Sequence, residues 1–113
     1  MSKAEILQAI EADLSDPSSQ KYGEYLIDRL TRTASWALTR DRQALLEILH
    51  EWLGSKETVR ALWALAVIRR LHLSELETTV RMLRQRAASG EIFNQNILFW
   101  VDLCLTNLEK NKT

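Results

Sequence analysis

The side chains of this 113-residue sequence best suited to acid–base, nucleophilic or metal chemistry are His50, His72, Cys104 and acidic pairs such as Asp13 and Asp16. A histidine metal site needs a second ligand one helical turn away, and neither His50 nor His72 has a His or Cys three or four residues on. Cys104 falls inside an apolar helical stripe, where cysteine acts as a small hydrophobe. No glycine-rich phosphate loop or nucleophile elbow is present. The expectation is therefore no catalytic residue, no metal and no cofactor, and function by noncovalent contact.

Two groups of residues could supply such contact. Between positions 60 and 86, Arg60, Arg69, Arg70, Arg81, Arg84 and Arg86 face only Glu75 and Glu77. Arg69, Arg70, Arg81, Arg84 and Arg86 form a candidate anion-binding cluster for phosphate, nucleic acid or an acidic protein. The competing reading is structural: Glu77 and Arg81 make an i, i+4 pair, and Arg69 and Arg70 complement the carboxyl end of a helix. Fifteen basic residues balance fifteen acidic ones, so the chain has no global field favouring nucleic acid or an anionic membrane.

The second group lies near the C-terminal end. At about 100° per residue, Phe93, Ile97, Trp100, Val101, Cys104, Leu105 and Leu108 share one wide face, while Ile92, Phe99 and Leu103 form another nearly opposite. Asn96 and Asn107 border this second stripe on one side, Gln95 and Thr106 on the other, giving an apolar centre with an uncharged polar rim. Either another helix of the same chain covers it, or a partner or second copy does. Ile92, Asn96, Phe99 and Leu103 are the candidate protein-binding residues.

The elements that must position these residues read as helices. A Ser2–Glu5 capping box opens the first, with Ile6, Leu7, Ile10 and Leu14 on one face up to the Ser15–Ser18 break. Tyr22, Leu26, Leu30, Ala34 and Leu38 mark a second, with Trp36 off its axis. Asp41 caps a third, whose Leu45, Leu46, Ile48, Leu49, Trp52 and Leu53 precede a stop at Gly54. Ser55 caps a fourth running to about Leu71. Ser74 and Glu77 form a second capping box for a fifth, with Leu76, Val80, Leu83 and Ala87 inside and Gly90 at its end. A sixth spans about Glu91 to Glu109. The apolar run Ala61–Ile68 is far short of the roughly 18 residues needed to cross a membrane, so it predicts a helix buried within protein. Trp36, Trp52, Trp63 and Trp100 fall on four different helices, which suits junctions between layers better than a stacking platform.

The stretch from Leu45–Leu46 through Leu53-Gly54-Ser55-Lys56-Glu57-Thr58-Val59-Arg60 to Ala66–Val67 and Leu71 resembles a HEAT repeat: an outer helix, a tight turn, and a Val-Arg pair opening an Ala-rich inner helix. The resemblance covers about residues 41–83. It implies stacked helix pairs, with Arg60 bracing neighbouring pairs. The sequence departs from the family pattern at Lys56, Trp63 and Ile68.

The combined expectation is one all-α domain over residues 1–113, with about six antiparallel helices arranged as HEAT-like pairs or an irregular bundle. It would act as a small adaptor, regulator or immunity-type protein that binds a protein partner or itself through the C-terminal helix. Nucleic-acid binding through the arginine cluster is the alternative. The lone cysteine and the absence of an apolar leader pattern place it in the cytoplasm, away from membranes.

Overall fold

A computed structural model describes residues 3–16, 23–55, 58–90 and 96–110. Every regular element among them is helical: α1 (Lys3–Ser15), α2 (Gly23–Arg40), α3 (Arg42–Leu53), α4 (Thr58–Leu71), a short 3₁₀ turn (Ser74–Leu76), α5 (Glu77–Ala88) and α6 (Asn96–Lys110). The all-α class follows from the apolar spacing. No helix among the described residues is long and apolar enough to cross a membrane.

Caps explain several of the boundaries. Asp41 accepts the Ala44 N–H through its side chain at 3.1 Å and the Leu45 N–H through its carbonyl at 3.3 Å, which opens α3 as expected. That helix stops at Leu53, followed by the Gly54–Ser55 turn. At the end of α4, His72 adopts a left-handed conformation (φ 53°) and the Leu73 N–H reaches back to the Ile68 carbonyl at 3.1 Å. This is the Schellman arrangement, usually served by glycine. Gly90 (φ 87°) follows the end of α5.

The start of α5 corrects one expectation. Ser74 makes no side-chain cap, because a 3₁₀ turn precedes the helix and backbone carbonyls take the first donors: Leu76 N–H bonds Leu73, and Glu77 N–H bonds Ser74. Ser2, of the other capping box, lies outside the described residues.

The contacts divide the chain into two compact units, Met1–Ile48 and Leu49–Thr113, with the division inside α3. In the first, α1 packs on α2. Ile6 and Ile10 of α1 are buried, as are Leu26, Leu30, Ala34 and Ala37 of α2. The α2 stripe closes on Ala37 rather than the expected Leu38, since steps of four overshoot a turn by about 40° each and a final step of three restores the line. Leu7 and Leu14 are only half-buried, whereas Asp13 is buried.

In the second unit α6 packs against both α4 and α5. From Ala61 to Ile68 every residue of α4 is buried or half-buried, the central position that its unbroken apolar run implies. Trp52 and Trp63 meet at 6.0 Å between ring centroids, and Arg60 lies 5.4 Å over the Trp52 ring. Trp52 is 7 % exposed, so two of the four tryptophans do join layers.

Candidate interaction surfaces

The sixth helix divides into two faces. Ile97, Val101, Cys104, Leu105 and Leu108 are buried and form the side turned toward the α4 and α5 packing. Burial pushes the Cys104 thiol up to about 11, with Arg69 pulling partly the other way. A thiol so protonated at neutral pH is a packing group.

The other face is open. Phe99 is 65 % exposed and Leu103 37 %. Trp100, expected on the core side, is 42 % exposed and packs edge-on against Phe99 at 5.3 Å. It lies about 40° beyond Cys104, the buried position at that edge of the face, and its bulk is left toward solvent rather than in the core. The exposed apolar group is thus Phe99, Trp100 and Leu103, broader by one ring than the spacing predicts. Thr106 is exposed and Asn107 half-buried beside it. Asn96 opens the helix, and Ile92 and Gln95 lie outside the described residues. Within the second unit, none of the described helices buries Phe99 or Leu103.

The arginine cluster is dispersed rather than gathered. Arg84 donates through Nε to Asp102 at 2.7 Å, and Arg81 donates to Glu109 at 2.9 Å while lying 3.7 Å from Glu77. Their order, falling along α5 while rising along α6, shows the two helices to be antiparallel. Both pairs are solvent-exposed, worth at most about 1 kcal/mol each, but they set the register and neutralise two of the five cations. Arg69 is half-buried near Cys104, and Arg70 is exposed at the end of α4. Arg86 lines a shallow cavity with His50, Leu53, Gly54, Thr79, Met82 and Leu83. Its volume, about 110 Å³, holds a few waters and falls well short of a typical small-molecule site. His50 Nδ1 lies 3.1 Å from Thr79 Oγ1 at its edge.

Sequence spacing alone did not reveal the clasp that joins α1 to α2. Arg29 pairs with Asp13 at 3.1 Å and with Asp16, and the Thr33 hydroxyl donates to Asp13. Arg29 also lies 5.9 Å over the Tyr25 ring. A buried carboxylate requires such a partner, and here it is the helix opposite that supplies both the charge and the hydroxyl. Asp13 and Asp16 therefore serve as anchors for Arg29. Among the described residues no group of three His, Cys, Asp or Glu side chains is placed to hold a metal ion. Compared with family models, curated proteins and solved structures, the chain matches none.

Proposed function

We propose that the chain works by noncovalent protein association through the outer face of α6, with Phe99, Trp100 and Leu103 as the apolar centre; Ile92 and the Asn96 side chain, also expected in this surface, lie outside what the structure describes. The single observation that carries this reading is the 65 % exposure of Phe99 beside two further exposed apolar side chains on one helix. Large aromatic side chains are typical of binding hot spots, where each fully covered anchor contributes about 2 kcal/mol or more, and here Thr106 and Asn107 lie beside them with the charged Asp102 and Lys110 on the same side of the helix. The helical surface suits a second copy meeting it face to face, or a partner helix laid along it. In this reading α3 and α4 form a HEAT-like pair that holds α6 in place, and the protein is a cytoplasmic adaptor, regulator or immunity-type component.

Sedimentation of the wild type across a hundredfold dilution, beside Phe99→Asp with Leu103→Asp, tests it. Self-association predicts a mass that falls on dilution and a variant that stays monomeric with an unchanged melting temperature. A wild type that remains monomeric at high concentration removes the self-association form. A loss of several kcal/mol of stability in the monomeric variant would make the face interior surface and end the proposal.

A further inference from the structure

A different surface carries a second, independent inference. Tyr25, Arg29, Arg32, Trp36 and Arg40 follow one another along α2 at separations of four, three, four and four residues. At about 100° per residue these positions stay within roughly a quarter of the helical circumference. The stripe is a surface: Tyr25 is 41 % exposed, Trp36 39 %, and Arg32 and Arg40 are exposed. The opposite side of the helix, bearing Leu26, Leu30, Ala34 and Ala37, is the buried one.

The chemistry of the stripe is narrow. Its members are aromatic rings and guanidinium groups alone, with no aliphatic side chain that a partner helix could seat in a groove. Every cation of α2 is arginine, whose planar head both stacks and binds phosphate oxygens in pairs. Trp36 has Arg32 one turn before it and Arg40 one turn after, each about 6 Å away along the axis. Ser35 and Thr39 border this C-terminal half on its outer side, while the acids Glu24 and Asp28 border the N-terminal half. Asp41, just beyond, spends its carboxylate on the Ala44 N–H. At the other end Arg29 is held by Asp13 and Asp16 and lies over Tyr25, which orients that ring.

We infer that the exposed face of α2 binds single-stranded nucleic acid, with a base stacked on Trp36, flanking phosphates on Arg32 and Arg40, and Tyr25 as a second stacking platform. Ring stacking and guanidinium contacts accept any base, so the binding is tolerant of sequence. Two phosphate contacts on a single strand give a modest salt dependence, with a log–log slope of about −1.4.

The test is fluorescence anisotropy of a labelled 12-mer of oligo(dT) and of oligo(U) titrated with the whole chain at low salt, repeated as salt rises. Wild type should bind and weaken at about that slope. Trp36→Ala should weaken binding about tenfold or more, Trp36→Phe should retain most of it, and Arg32→Glu with Arg40→Glu should abolish it. Arg81→Glu with Arg84→Glu should leave it unchanged. Helix content and melting temperature are followed for each variant, and Trp36→Phe with the arginine pair carries the test if Trp36→Ala unfolds. The proposal fails if neither oligonucleotide binds at low salt, or if binding is indifferent to both Trp36→Ala and the arginine reversals in folded protein. It also fails if polyglutamate competes on equal terms and Trp36→Ala has no effect, since the face would then be a site for acidic protein.

Discussion

Cys104 shows how one side chain's surroundings become a measurable property of the fold. Its thiol is fully buried, and burial raises its pKa from 9.0 to about 11. Below about pH 9 the thiol is protonated in both folded and unfolded chains, so it makes stability no more pH-dependent there. Between 9 and 11 the unfolded chain releases the proton while the folded one keeps it, and stability falls as pH climbs through that window. Urea titrations at about pH 7 and about pH 10.5 should therefore show the advantage of wild type over Cys104→Ala shrinking by on the order of 1–2 kcal/mol. An advantage equal at both values would mean that water reaches the thiol. The same burial predicts negligible labelling by a thiol reagent until the chain unfolds.

The helices owe their limits to local chemistry that is testable one cap at a time. Asp41→Ala removes the side-chain acceptor of the Ala44 N–H and should cost about 1 kcal/mol. Gly90→Ala should cost a similar amount, about 1–2 kcal/mol, through the backbone alone, because a methyl group there meets nothing within 4 Å while φ is 87°. Chemical denaturation of both variants checks this, and a neutral Gly90→Ala would show that the end of α5 relaxes. These caps, like the central position of α4, were legible because each depends on residues within one or two turns, whereas spacing marked Phe99 and Leu103 as a second stripe and left its cover open. Other features depend on a distant helix and were not. Asp13 reads as an ordinary acid at the end of α1 until α2 brings Arg29 and Thr33 to it. Arg81 reads as a partner of Glu77 alone, and Arg84 as a cation without a partner in the sequence pattern, until α6 brings Glu109 and Asp102. Trp100 fell on the wrong side because apolar spacing treats an aromatic ring as a point, whereas a ring at the border of a face turns whichever way leaves its bulk unstrained. Ser74 matched a capping pattern, yet the 3₁₀ turn satisfied the same donors from the backbone.

At the scale of the whole molecule, the division between compact units falls between Ile48 and Leu49, within a helix that runs unbroken from Arg42 to Leu53. Ala44, Leu45 and Ile48 lie before that point, Leu49, Trp52 and Leu53 after it, and all six are buried. Cutting there leaves two helical remnants of under two turns each, below the length at which a helix persists in water, each carrying large apolar side chains. Fragments 1–48 and 49–113 produced separately should each show depressed helicity by circular dichroism and a tendency to aggregate. Two well-folded fragments with cooperative melting would contradict this. A chimera that exchanges halves with another helical protein must accordingly place its crossover at the Arg40–Asp41 junction or the Gly54–Ser55 turn, because α3 is inherited whole or not at all.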